Sequence, residues 1–248
     1  MTAQVSTPLA GARELALPAY ERASDVHPPL DSPGYRSTAL RYPKQPLVLL
    51  PHRLTEVTGP LLGESLITAT DADLTTQHAG EPQGQRIIVT GRVLDSDGRP
   101  VPDTLLEIWQ TNASGRYRHW HEHHPAPLDE NFDGIGRCLT DSAGRYRLIT
   151  IQPGAYPWGN HHNAWRPAHI HFSLMGRAFA QRLVTQMYFP GDPFFPYDPI
   201  FNSVRDHKAR KRMISRFSIH DTVPNWAQAF EWDIYLRGPG ATPFEDTH

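Results

Sequence analysis

Between residues 86 and 237, turn chemistry interrupts the chain at short intervals, and the runs between turns are rich in Ile, Val, Leu and aromatic residues. "DSDG" (95–98) separates "RIIVTGRVL" from "TLLEIW", and "DSAG" (141–144) separates "GRCL" from "RYRLITI". Asp, Ser and Gly favour turns, and β-branched residues favour strands, so each segment reads as strand, turn, strand. The second turn reads as a hairpin, with Tyr146 just after it. "RPAHIHFSLMG" and "QRLVTQMYF" supply two more candidate strands. In "FEWDIYLRG", Phe230, Trp232, Ile234 and Leu236 alternate with Glu231, Asp233, Tyr235 and Arg237. That is the period of a strand with one buried face. The 24 prolines argue against long helices. The helices expected are short: a turn within "TATDADLTTQ" and a surface helix within "KARKRMISRF". Many short strands with frequent turns predict an all-β fold, a β-sandwich.

The strand texture begins near residue 86. Residues 1–85 show no sustained period and read as an extended, proline-rich N-terminal arm that packs on the core or on a partner chain; residues 86–248 read as the sandwich domain. The 24 basic and 26 acidic residues nearly balance, and "RDHKARKR" (205–212) is a short solvated cluster, so neither a nucleic-acid nor a membrane partner is expected. No apolar run reaches the roughly 18 residues of a membrane span. The start, "MTAQVSTPLAGARELALP", does not read as a signal peptide. Cys138 is the single cysteine. No intrachain disulfide can form, which fits a reducing cytoplasm.

The chemistry concentrates around "RPAHIHF" (166–172). Successive strand residues point to opposite faces, so His169 and His171 point the same way. Alone, the pair also suits a wet sheet face with two solvated histidines. Two tyrosines add to it. Tyr117 ends a strand at "ASGRYR", and Tyr156 lies in the Gly- and Pro-bounded loop "QPGAYPW". A phenol ionises near pH 10 and becomes a metal ligand cheaply only on a strongly Lewis-acidic ion. Two phenolates and a hydroxide would balance a 3+ charge, with two neutral imidazoles completing the shell. Ferric iron suits that set better than zinc, copper or magnesium. "GRYR" recurs at 144–147, but Tyr146 follows the DSAG turn and reads as structural. The histidines of "HWHEHHP" (His119, His121, His123, His124) and of "NHHN" (His161, His162) read as solvated loops. Arg166, three residues before His169, falls on the opposite face unless the backbone bends at Pro167, and proline often marks such a break.

Together, "RIIVTGRVLDSDGRPVPDTLLEIWQTNASGRYRHW", "APLDENFDGIGRCLTD", "PGAYPWGNHHNAWRPAHIHFS" and "LVTQMYFPGDP" resemble the intradiol ring-cleavage dioxygenases, and the arm segment "GYRSTALRYPKQPLVLLP" looks like their two-chain type. The resemblance implies one Fe(3+) held by Tyr117, Tyr156, His169 and His171. It implies that a catechol and O2 react there, Tyr156 being the displaced tyrosine and Tyr117 the retained one. Arg166 would steady negative charge on the ring, with Gln186 beside it. Trp158, Ile200 and the arm residue Tyr35 would line the substrate pocket. A homologous α chain is the implied partner in an α–β hetero-oligomer. The single-chain catechol or hydroxyquinol 1,2-dioxygenases and a non-catalytic β-sandwich subunit remain as alternatives. The loop "WHEHHP" departs from the family's pattern.

Overall fold

The computed structural model describes residues 26–34, 36–45, 67–162, 164–176 and 179–244. Their strands are β1 (Arg86–Leu94), β2 (Leu105–Trp109), β3 (Ile135–Leu139), β4 (Arg145–Ile151), β5 (Tyr156–Trp158), β6 (Ala164–Arg166), β7 (His169–Gly176), β8 (Phe179–Tyr188), β9 (Arg216–Phe217), β10 (Gln228–Glu231) and β11 (Ile234–Tyr235). The helices among these residues are single turns or little more: α1 (Thr38–Arg41), α2 (Pro199–Ser203) and α3 (His207–Arg212). A 3-10 turn at Ala69–Ala72 and α3 fall where the sequence places its two short helices.

Two sheets face one another. One has β1 at its centre, flanked by β4 on one side and by β10 and β11 on the other, with β9 beyond β10. The second runs β3-β2-β7-β8, and β5 and β6 form a separate two-stranded ribbon. Ile87, Val89, Val93, Leu148 and Phe230 from the first sheet meet Leu106, Ile108, Ile170, Phe172 and Leu174 from the second in one apolar cluster. Each such side chain contributes on the order of 1.5–3 kcal/mol by leaving water. The β-sandwich expected from the sequence is the fold.

The "DSAG" turn is not a hairpin between paired strands. Gly144 N–H donates to Asp141 and Asp141 N–H to Arg145, as a tight turn requires. Yet β3 pairs with β2 while β4 pairs with β1. The turn carries the chain from one sheet to the other, and turn chemistry alone does not specify which strands then pair. The strand read over "FEWDIYLRG" keeps its alternation, with Phe230, Trp232, Ile234 and Leu236 buried. It is interrupted between β10 and β11, where Asp233 Oδ1 takes the amide of Arg92 (2.9 Å). The Trp232 carbonyl accepts the Tyr146 hydroxyl at 2.7 Å. A Cβ on Gly91 would lie 1.8 Å from that same oxygen, so only glycine fits.

Described pieces of the first 85 residues lie against the sandwich. Leu74 is fully buried in the main core. The amide of Arg36 donates to the Asn160 carbonyl (2.8 Å), and Asn160 Nδ2 to the Ser37 hydroxyl (2.6 Å).

Tyr146→Phe removes a buried hydroxyl and orphans a carbonyl, a loss of roughly 1–3 kcal/mol. Urea unfolding should register that loss, and the variant's iron content should match the wild type.

Candidate metal centre and catalytic cavity

The outer face of the second sheet carries the site. On β7, Ile170, Phe172 and Leu174 enter the core, which turns His169 and His171 to the opposite face. On that face His171 lies directly opposite Gln186 of β8 and Trp109 of β2, and His169 opposite Tyr188. The Trp109 and His171 rings stack, 4.7 Å apart and nearly parallel.

Two loops bring the tyrosines. Gly115 has φ +78, and a Cβ there would lie 2.2 Å from the Ala155 carbonyl; a Cβ on Gly154 would lie 2.4 Å from the Gly115 amide. Two glycines therefore let the loop before Tyr117 touch the loop before Tyr156. Asn112 Oδ1 accepts the amides of Ser114 and Arg116, and the Asn112 carbonyl accepts Gly154 N–H. The two tyrosine rings meet edge to face at 5.3 Å.

The polar atoms converge. His169 Nε2 is 3.2 Å from His171 Nε2, which is 3.1 Å from the Tyr117 hydroxyl. The Tyr156 ring is 5.6 Å from that of His169. His169 Nδ1 lies 2.6 Å from the Pro167 carbonyl. A carbonyl only accepts, so Nδ1 carries the hydrogen and Nε2 presents a lone pair to the cluster. Burial, reinforced by the Arg166 charge, drives both imidazoles well below their ordinary pKa, so they are neutral, the form that binds metal. Burial likewise raises both phenols, Tyr117 well above its ordinary value. Within the bare protein they stay protonated. A highly charged cation would reverse that, and two phenols with two neutral imidazoles fit a ferric ion by donor chemistry.

Arg166 is nearly fully buried. The strand does break at Pro167: β6 ends at Arg166, β7 starts at His169, and Ala168 N–H is held by Asp192 Oδ2 at 2.9 Å. This bend puts the guanidinium on the same side as the histidines, against Gln186, the Tyr188 hydroxyl (3.0 Å) and Asp198 (3.0 and 3.1 Å). Its charge sits 5.7 Å from the Trp158 ring.

A cavity of about 510 Å³ opens over the cluster; Tyr117, Tyr156, Trp158, Arg166, His171, Gln186 and Ile200 all contribute to its wall. Tyr35 lies outside the described residues, although its neighbour Gly34 sits against Pro199 at the start of α2. His119, His121 and Glu122 also line the cavity. That loop, set aside from the sequence as solvated, is exposed and yet forms the mouth. The His161 and His162 rings lie 4.4 Å apart, and neither lines the cavity. Tyr146 is in the core, as a structural tyrosine should be. Trp109, Tyr188 and Asp198 escaped the sequence reading. Asp198 carried a visible signal, an Asp before a Pro that starts a helix.

A family profile described as Dioxygenase matches residues 57–238, and one described as Protocatechuate 3,4-dioxygenase beta subunit N terminal matches residues 20–53. The chain belongs to the intradiol ring-cleavage dioxygenase family. It is 56% identical over 221 residues to the protocatechuate 3,4-dioxygenase beta chain of Burkholderia cepacia, covering 88% of this chain and 94% of that one. To the protocatechuate 3,4-dioxygenase alpha chain of Pseudomonas putida it is 29% identical over 210 residues, 81% of this chain and 99% of that one. The crystal structure of 3-chlorocatechol 1,2-dioxygenase from Rhodococcus opacus shares the fold, with a TM-score of 0.53 at 24% identity over 68% of this chain and 65% of that one. Among the described residues no helix is long and apolar enough to cross a membrane.

His171→Ala should lose most of the bound iron, and His123→Ala should retain it; metal analysis of the purified variants reads the difference. The depressed imidazoles also set a pH dependence. Below about pH 6.5, their ordinary value, the unfolded chain takes up protons that the folded chain refuses, so stability falls with pH. The urea midpoint of iron-free protein should drop between pH 7.5 and 5.5, and His171→Gln should shrink the drop.

Proposed function

We propose that the chain is the β subunit of a ferric intradiol dioxygenase that cleaves protocatechuate (3,4-dihydroxybenzoate) with O2 to 3-carboxy-cis,cis-muconate, a step of aromatic degradation through the β-ketoadipate pathway. The observation that carries the reading is the meeting of Tyr117, Tyr156, His169 and His171 in one cluster, with Tyr117, Tyr156 and His171 in the wall of one cavity. The names of the relatives, one a beta chain and one an alpha chain, support the substrate and the two-chain assembly. So does the match of residues 20–53 to a beta-subunit N-terminal profile.

In this reading those four residues hold the iron, which when bound supplies Lewis acidity and a template for the diol and O2. Tyr156 would accept a diol proton at its phenol oxygen. The guanidinium of Arg166, already beside Tyr156, favours the phenolate that does so. Arg166 then faces negative charge arising on the ring, and fixed charges in a water-poor site are often the largest catalytic contribution. Gln186 holds the guanidinium by accepting from Arg166 Nη2. Trp158 and Ile200 hold the ring edge, with Tyr35 as a further pocket residue. Residues 1–85 form the arm and 86–248 the catalytic domain, in a cytoplasmic α–β assembly.

Purified with its α partner, the protein should be red-brown from tyrosinate-to-iron charge transfer. It should consume O2 with 3,4-dihydroxybenzoate to yield the carboxymuconate. Expressed alone, the chain should be poorly soluble or weakly active. A fully active assembly of this chain alone, preferring unsubstituted catechol, would favour a 1,2-dioxygenase. Iron-free, colourless protein would favour a scaffold subunit.

A further inference from the structure

We infer that Asp198 is the positioning residue of the site: it fixes and neutralises Arg166, and acts on the reaction through Arg166 alone. The inference rests on the dioxygenase reading for its kinetic consequence and on the geometry for its substance.

Asp198 is completely buried. Its Oδ1 accepts the Ile200 amide at 3.0 Å and lies 3.0 Å from Arg166 Nε; its Oδ2 is 3.1 Å from Arg166 Nη2 and 3.0 Å from the Tyr188 hydroxyl. The hydrogen bond from Nη2 to Oδ2 and the ion pair of Nε with Oδ1 hold the guanidinium against the carboxylate. The carboxylate is itself immobilised by the backbone. It caps α2, Pro199 occupies the first helical position, and Asn202 Nδ2 donates to the Asp198 carbonyl at 2.8 Å. Tyr188, also fully buried, reaches Arg166, Gln186 and Asp198 with one hydroxyl, and its ring lies 5.6 Å from that of His169. The arrangement ties a long, rotamer-rich side chain to a fixed point of the fold, beside the group it must address.

Charge requires the same partner. A buried cation without a counter-ion is strongly disfavoured. An uncompensated guanidinium here would also oppose a metal cation in the adjoining shell. Within the cluster described around Arg166, Asp198 is the carboxylate in contact.

The two duties of Asp198 separate in Asp198→Asn. Asparagine caps helices as well as aspartate and has nearly the same shape, but carries no charge. The test is a double-mutant cycle on the iron-loaded α–β enzyme: wild type, Asp198→Asn, Arg166→Gln and the double variant, assayed with 3,4-dihydroxybenzoate. Misplacing a catalytic group by an ångström can cost about 100-fold, so Asp198→Asn should lower kcat roughly 10- to 100-fold while KM changes little. In the Arg166→Gln background the same substitution should leave kcat nearly unchanged. An unaltered kcat in Asp198→Asn, or an equal loss in both backgrounds, overturns the inference. Should Asp198→Asn fail to fold, Asp198→Ser, which keeps a capping hydroxyl, takes its place in the cycle. If the wild-type assembly turns over no catechol, the functional reading fails. The cycle is then run on urea unfolding, where absence of coupling between Asp198 and Arg166 overturns the positioning itself.

Discussion

Strand β7 serves the core with one face and the site with the other. Ile170, Phe172 and Leu174 are fully buried between the sheets, and the pleat then leaves His169 and His171 no choice of direction. A slip of one residue would bury both imidazoles in the core and expose three large apolar side chains. The apolar packing therefore fixes the histidine pair more firmly than any contact within the site. Neighbouring strands inherit the register, so Gln186, Tyr188 and Trp109 arrive on the same face at set distances.

Close backbone approach is the second constraint. Tyr117 and Tyr156 come from segments 39 positions apart, 156 − 117, and meet because Gly115 and Gly154 present no Cβ to one another's chains. The resulting cluster is electrically neutral in the bare protein: two imidazoles held uncharged by burial, two phenols held protonated. Beside it, the buried charges of Arg166 and Asp198 pair with each other. Such a site is poised to take up a multivalent cation, since the cation supplies the charge that ionises the phenols.

Some of this was readable in the residues. The pairing of His169 with His171 follows from local geometry, and the break at Pro167 from the ring that fixes its φ. The second "GRYR" could be set aside because Tyr146 follows a turn, and it does enter the core. The hairpin read at "DSAG" was misleading, since a tight turn is a local event and sheet membership is not. The histidine loop read as merely solvated because its polarity is visible in the sequence and its place at the cavity mouth is not.

The strand periods, the turn positions, the all-β class and the four candidate ligands are legible in the residues alone. Each depends on residues within a few positions or on motifs carried intact in the chain. It takes the folded chain to put β3 and β4 in different sheets, to hold Arg166 with Asp198 and Tyr188, and to stack Trp109 on His171. These contacts link residues 22, 32 and 62 positions apart. Their partners are chosen by which faces are left to bury once the sheets have paired, and no local rule of propensity or spacing carries that information.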